Sequence, residues 1–328
     1  MVTKAEAMTR PTVFMYSGQG SQYFHMTREL YERHPRYRLW LEHCDDVAFP
    51  VLGKSVLDTI FDPDRTKSDP FDSLADSNAA LLCVEYSLTR VVQEMGYRPD
   101  VLVGYSLGEI TAAVVAEVVP LEFGISFAVE FARALAERTP LSGMLAVLGS
   151  AELLRSHAGL FSDCWVTGRN FGGNFVVSGR VEAVARLEHS LAREGVVCQR
   201  LPVNYGVHTE LIDPVEEQVR GILGAASFAP PRIPIVSSAS TDRVVAVTAD
   251  GIWDAMRSPV DFAQTIEKLS AVGDATFVDL GPSATLATFV KYILPSGSGS
   301  TQVHTVNRFG QDLDSLREFQ AQTASLRG

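Results

Sequence analysis

The segment VLVGYSLGEITAA, residues 101–113, constrains this chain more than any other stretch. A short apolar run enters a pentapeptide with glycines on both sides of Ser106, and an apolar pattern of helical period follows. A strand that turns straight into a helix around GxSxG has the pattern of a nucleophile elbow. Its glycines are a steric requirement. The turn forces the serine into an unfavourable backbone conformation, and side chains on its neighbours would block the tight crossing of strand and helix. The hydroxyl then stands at a helix N-terminus, where N–H groups and the dipole favour developing negative charge. The pentapeptide alone is equally compatible with a serine that merely caps the helix.

The surrounding chain supplies the layers such a turn needs. TVFMYS (12–17) is a short apolar β run that ends in the turn GQGSQ. Leu30, Tyr31, Leu39, Trp40 and Val47 recur at helical spacing, with Pro35 dividing two helices. A charged, proline-containing loop covers 62–73, and a strongly periodic helix covers 78–95 with Asn78 as its expected N-cap. Helices are expected at 107–118 and 121–137. The texture then changes to strand, strand, strand, helix, strand over GMLAVLG, CWVTGRN, NFVVSGR, VEAVARLEHSLAREG and VVCQRLPV, the pattern of a small α+β insertion. HTELIDPVEEQVRGIL returns to helix. RIPIVSS, ATFVDLG and QVHTVN add three strands with helices between them, PSGSGST (295–301) is a loop, and a final helix begins at 312. Short apolar strands alternating with helices imply an α/β fold. A large subdomain with a parallel sheet is expected from 1–139 and 204–328, and a small inserted subdomain from 140–203.

Composition removes several functions. A hydrophobic fraction of 46% in 328 residues allows a sizeable core. The net charge of −11 excludes nucleic acid and anionic membrane as main partners. Four cysteines without CxxC spacing indicate neither a zinc site nor a disulfide framework, and each reads as a small buried hydrophobe. The N-terminal stretch is too polar for a signal peptide and no apolar run reaches membrane-spanning length, so a cytoplasmic protein is expected.

A serine nucleophile needs a base, and histidine is the usual one. Of the seven histidines, His25, His34, His43, His157 and His189 lie in polar helical contexts, and His304 lies in a strand pattern. His208 follows LPVNYGV, a strand end running into an irregular turn, at the place in an α/β sheet where active sites gather. The same position suits an ordinary histidine at a helix N-terminus. No acidic third member can be picked: Asp213 is too close along the same helix, and Asp279 is a bare possibility. In YSGQGSQ, Gln19 stands between two glycines, where its backbone N–H could face an oxyanion.

Taken together, the chain resembles the malonyl-CoA:acyl carrier protein transacylase family, which includes polyketide synthase acyltransferases. SGQGSQ resembles the family's N-terminal GQGSQ, GYSLGEITAA its GHSxGE segment, and YGVH the segment that carries its histidine. SPVDF (258–262) and VDLGPSATL (278–286) resemble its late segments. The resemblance implies an α/β-hydrolase-like large subdomain with a ferredoxin-like insertion. It implies Ser106 as acyl nucleophile, His208 as base and then acid, and the N–H groups of Gln19 and Leu107 as the oxyanion hole. The family orients its histidine with a main-chain carbonyl, here that of Ser258, where asparagine is usual.

Two departures bear on the substrate. Malonyl-using members carry an arginine in the helix after the nucleophile, and the alignment places Phe131 or Ala132 there, with Arg133 one or two residues off. Tyr105 stands where the family has histidine, and NYGVH, with Tyr205 and Val207, matches neither common extender-unit signature. The pocket residues Tyr105, Phe131, Ala132, Tyr205 and Val207 therefore imply an acyl group without a free carboxylate. The expected function is a discrete acyltransferase of polyketide biosynthesis. It would move a non-malonyl acyl or aminoacyl group between acyl carrier proteins, each thioester borne on phosphopantetheine or CoA. The alternative is an acyl hydrolase that clears stalled groups from carriers. A catalytically dead scaffold is disfavoured by the presence of both Ser106 and His208. No metal or redox cofactor is implied, and a monomer is expected. The acidic carrier partner calls for a basic patch near the cleft, with Arg155, Arg169 and Arg308 as candidates.

Overall fold

Four successive residues of the first strand, Val13 to Tyr16, are buried, so the strand is covered on both faces. That is the position of a central strand in a parallel sheet with helices on both sides. The computed structural model describes residues 10–324; the first nine residues, the start of the N-terminal stretch considered above for a signal peptide, and the last four lie outside them. The large sheet contains β1 (Thr12–Tyr16), β2 (Val101–Gly104), β7 (Ile235–Ser237), β8 (Arg243–Val244), β10 (Thr276–Asp279) and β11 (Thr301–His304). Its order is β11-β10-β1-β2-β7-β8, parallel throughout except for the antiparallel β7–β8 pair. Alternate residues of β1 enter two cores. Phe14 and Tyr16 join the cluster built on helices Pro35–Leu52, Leu74–Glu94 and Leu121–Arg138, while Val13 and Met15 join Phe262, Ile266, Leu286 and Val290 on the other face.

The second sheet contains β3 (Ser142–Leu148), β4 (Cys164–Phe171), β5 (Asn174–Arg180), β6 (Val197–Leu201) and the two-residue β9 (Val260–Asp261), in the order β6-β3-β5-β4-β9. With a short helical segment after β3 and the Val181–Arg193 helix after β5, this is an antiparallel βαββαβ unit of ferredoxin-like order. Leu145, Val147, Phe175 and Val177 pack on Val184, Leu187 and Leu191 of that helix. β9 pairs parallel to β4, which couples the small sheet to the chain immediately after Ser258. The register of β4 shifts between Val166 and Gly168 and again between Arg169 and Phe171. Such bulges re-aim side chains, and the second one turns Asn170 toward the large sheet.

Register also positions the site. Tyr16 of β1, Gly104 of β2 and Ser237 of β7 lie in one row, so the loops after β1 and β2 leave side by side at the carboxyl ends of the strands. Pro35 opens its helix at the first position, with His34 as N-cap. One cap expectation fails. The helix expected from 78 begins at Leu74 behind Ser73, and Asn78 is buried inside it. Its side chain bonds two other segments instead of its own backbone. Pro214 shapes the next difference: Glu210–Val215 is a 3-10 segment, and the α-helix starts only at Glu216. Cys44 and Cys83 are buried, whereas Cys164 and Cys198 are only partly so. No described helix is long and apolar enough to cross a membrane.

Two carboxyls lie wholly inside. Glu85 accepts from the Ser17 N–H at 2.6 Å and its hydroxyl at 2.7 Å, and Thr111 donates to it at 3.0 Å. Burial pushes it up to about 8 despite these bonds. Asp279 accepts from the N–H groups of Gly281 and Ala287 at 2.8 and 2.9 Å, and burial raises it to about 6. A carboxyl raised on folding binds more protons folded than unfolded, so its stabilisation is complete below the unfolded value and is lost as pH rises through the folded one. Glu85→Gln removes that dependence at one site. Between about pH 5 and 8 the wild type should lose about 1 kcal/mol or more relative to the variant, measured as denaturant midpoints across pH.

Candidate active site

The elbow forms because two glycines permit a contact no other residue allows. A β-carbon on Gly108 would collide with the Tyr16 carbonyl, and one on Gly104 with the Glu109 N–H. Tyr105 N–H donates to that same Tyr16 carbonyl at 2.9 Å, and the Gly108 and Glu109 N–H groups close the turn on the carbonyls of Tyr105 and Ser106. Ser106 is held at φ 55°, in the left-handed region. Its hydroxyl projects over the start of helix Gly108–Val115 and meets His208 Nε2 at 2.7 Å.

His208 has the same backbone anomaly, φ 64°. Its N–H donates to the Met256 carbonyl at 2.9 Å, and Thr209 caps the following 3-10 segment. Ser258 ends the Ala249–Arg257 helix, and its carbonyl lies 2.8 Å from His208 Nδ1. A carbonyl only accepts, so Nδ1 must carry the proton and Nε2 presents a lone pair to the Ser106 hydroxyl. Burial at 4% exposure drives the imidazole down to about 4, so the ring is neutral at ordinary pH. No carboxylate takes part. Asp279 is spent on backbone N–H groups, and Asp213 pairs with Arg257.

The loop after β1 lies against the elbow. A β-carbon on Gly18 would stand 3.0 Å from Ser106 Cβ. The Gln19 side chain is fully engaged: it donates to Ser77 at 3.0 Å and to Asn78, and accepts from Gln22 at 3.1 Å. Asn78 in turn donates to the Ala128 carbonyl at 2.9 Å, which ties the loop to helix Leu121–Arg138. The backbone N–H groups of Gln19 and Leu107 donate to no acceptor among the described residues. Behind the turn, Glu109 accepts from the Ser237 hydroxyl at 2.7 Å and the Ser238 N–H at 2.8 Å. The Ser238 hydroxyl holds the Gly104 carbonyl, and its own carbonyl accepts from Asp261 N–H at 2.8 Å. One serine thereby links the elbow to the segment that follows Ser258.

A cleft of about 390 Å³ opens between the two sheets, lined by Gly18, Gln19, Tyr105, Asn170, Leu201 and Arg308 among others. Tyr105 crosses it and donates to Asn170 Oδ1 at 2.8 Å, while Asn170 donates to Asn174 at 2.6 Å. A β-carbon on Gly168 would lie 2.7 Å from the Tyr105 hydroxyl, so the glycine leaves room for the ring where it arrives. Phe131 and Ala132 are buried in the same apolar cluster as Leu107, Met144, Val203 and Val207, and Phe131 stacks on Phe127 at 5.8 Å. Arg133 points elsewhere: it pairs with Glu130 at 2.6 Å and donates to the Val51 carbonyl at 2.7 Å. Tyr205 is partly buried and bridges to Leu141. Of the three arginines considered for partner contact, Arg155 pairs with Glu152, Arg169 lies 3.9 Å from Asp261, and only Arg308 lines the cleft.

Several members of this arrangement escape sequence reasoning. Glu85, Asn78, Asn170 and Ser238 act across large sequence separations, and no local spacing marks them. Glu109 alone has a signal, since it stands one residue beyond the pentapeptide in GYSLGE.

With this geometry in place, comparison with known proteins is specific. The family model described as "Acyl transferase domain" matches residues 13–327, and the chain belongs to that family. It is 37% identical over 309 residues to the polyketide biosynthesis acyltransferase homolog PksD of Bacillus subtilis, covering 94% of this chain and 95% of that one. It is 34% identical to the homolog BaeD of Bacillus velezensis, covering 95% and 97%. Among solved structures, a loading acyltransferase from the avermectin modular polyketide synthase superposes with a TM-score of 0.87 at 27% identity, covering 95% of this chain and 99% of that chain.

The Tyr105–Asn170–Asn174 chain joins the two sheets through one partly buried and one buried hydrogen bond. Tyr105→Phe should cost about 1 kcal/mol in urea denaturation, whereas Asn170→Ala, which strands two partners, should cost about 1–3 kcal/mol.

Proposed function

We propose that this acyl transferase carries a non-malonyl acyl group on Ser106 and moves it between carrier-protein thioesters of polyketide biosynthesis. The observation that carries the reading is the Ser106–His208–Ser258 chain, at 2.7 and 2.8 Å, with its tautomer dictated by a carbonyl. His208 Nε2 takes the Ser106 proton as Oγ attacks the thioester carbonyl. The oxyanion of the tetrahedral intermediate is met by the N–H groups of Gln19 and Leu107, in a role for which each donor typically supplies about 3 kcal/mol. Collapse of the intermediate expels the thiolate, which takes the proton from His208. An incoming carrier thiol then gives its proton to Nε2, attacks the Ser106 ester, and releases the serine with its proton restored. The imidazolium exists only within each step, which suits a ring whose burial disfavours resting charge.

The non-malonyl reading is supported by Phe131, Ala132 and Arg133. A free carboxylate needs a cation, ideally a bidentate guanidinium. Phe131 is 4% exposed among apolar neighbours, and the Arg133 guanidinium is committed to Glu130 and the Val51 carbonyl. Burying malonate against Phe131 would leave a charge unpaired. The near full-length likeness to PksD and BaeD, both described as polyketide biosynthesis acyltransferase homologs, supports carrier-borne thioesters as the substrates.

The test is to incubate the protein with acylated carrier proteins and malonyl-CoA, then follow Ser106 loading, second-carrier loading and free acid by intact-protein mass spectrometry. Expected outcomes are Ser106 labelling by acyl carriers, reloading of a second carrier, no labelling by malonyl-CoA, and no labelling of Ser106→Ala. Release of free acid without reloading would convert the reading to hydrolysis, with water as the acceptor. The acylation kcat/KM should stay level from about pH 6 to 8 and fall only on the acid side, with an apparent pKa of about 4 rather than 6.5.

A further inference from the structure

Tyr23, in the lining of the cleft, stands against two cations. Lys67 Nζ lies 5.6 Å and the Arg308 guanidinium 5.8 Å from the centroid of Tyr23. Arg308 Nη2 also donates to the Lys67 carbonyl at 3.4 Å, so segments 241 residues apart meet there. Tyr23 is buried and fixed, its hydroxyl donating to the carbonyls of Pro282 and Asn307 at 3.0 and 3.2 Å. Asn307 holds the next turn by accepting from Phe309 N–H at 2.8 Å and donating to Ser315 at 3.0 Å. That turn presents Arg308 beside Phe309, which is 94% exposed.

The ring attracts each cation, but the two cations repel each other. No carboxylate forms an ion pair with either among the described residues, although the chain as a whole carries −11. The nearby acids do not pair directly with the two cations. Asp312 is buried and accepts from the N–H groups of Glu29 and Leu30, and it feels the charge of Lys67 without forming an ion pair with it. Asp69 accepts from the Thr66 N–H and hydroxyl at 2.6 and 2.9 Å, and Asp62 from Asp64 N–H at 2.9 Å. Tyr23 and Arg308 line the same cleft as Gly18, Gln19 and Tyr105, the residues that flank Ser106, so the cleft runs from the neighbours of the serine to Arg308, with Lys67 against the Tyr23 ring.

We infer that Lys67 and Arg308 seat the phosphate of a phosphopantetheine thioester whose acyl end reaches Ser106. The inference rests on the acyl-transfer reading above. A phosphopantetheine arm is a flexible neutral chain with its thiol at one end and its phosphate at the other. A guanidinium and an ammonium side by side match that phosphate, as a planar fork and as a point charge. The seat serves equally an arm attached to a carrier protein and one attached to a nucleotide, because both carry the same phosphate.

The experiment presents one acyl group, acetyl or octanoyl, on a carrier protein, on pantetheine 4′-phosphate and on pantetheine, and follows Ser106 acylation. In K67A/R308A, KM should rise about tenfold for both phosphate-bearing donors with kcat unchanged, and pantetheine should react as it does with wild type. Lys67→Arg, which keeps the charge, should retain wild-type KM. An equal loss with pantetheine, or no loss with pantetheine 4′-phosphate, overturns the seat. A loss confined to the carrier protein also overturns it and assigns the cations to the carrier's own surface. Failure of all three donors to acylate wild-type Ser106 would instead refute the proposed reaction.

Discussion

Gly108 presses its Cα against the Tyr16 carbonyl, and the rest of the site depends on that approach. It lets a helix start within hydrogen-bonding distance of a central strand, which forces Ser106 into the left-handed region. The strain is sustained because Tyr105, Gly108 and Glu109 each commit a backbone N–H to the turn. A strained residue persists only where its surroundings over-determine it. The same logic applies to His208, whose positive φ is fixed by Met256 on one side and by the Thr209 cap on the other.

Buried polar groups do the remaining positioning. Glu85 holds Ser17, the residue that starts the loop carrying Gln19. Asn78 holds the Gln19 side chain, which leaves the backbone N–H as that residue's free donor. Glu109 and Ser238 connect the elbow to the segment after Ser258. Each of these side chains is satisfied by several partners, the condition under which a buried network rigidifies a site instead of weakening it.

The α/β architecture was legible because its strands are short, apolar and punctuated, and because GYSLG, GQGSQ and YGVH are local patterns. The antiparallel insertion was legible as a change of texture after residue 140. What stayed hidden depends on contacts between distant segments. Asn78 looks like an N-cap because an asparagine preceding an apolar run usually is one, yet its partners are Gln19 and Ala128. Asn170 points at Tyr105 because of a bulge, which only strand pairing defines. The cations at Lys67 and Arg308 look like ordinary loop charges until folding brings both to Tyr23. For Arg133 the alignment and the structure agree: the alignment puts it one or two residues off the family's arginine, and its guanidinium is engaged by Glu130 and the Val51 carbonyl.

A carbonyl in place of a carboxylate has a chemical consequence. It fixes the tautomer of His208 as firmly as an aspartate would, but it contributes no full charge to stabilise an imidazolium, and burial then lowers the ring's basicity. The chemistry therefore turns on a proton position, and nitrogen-15 NMR of histidine-labelled protein measures it directly. At pH 7 His208 should be neutral, with Nδ1 protonated and Nε2 bare, and should take up a second proton only as pH falls toward about 4. A proton on Nε2 at neutral pH, or titration near the ordinary value of 6.5, would contradict it.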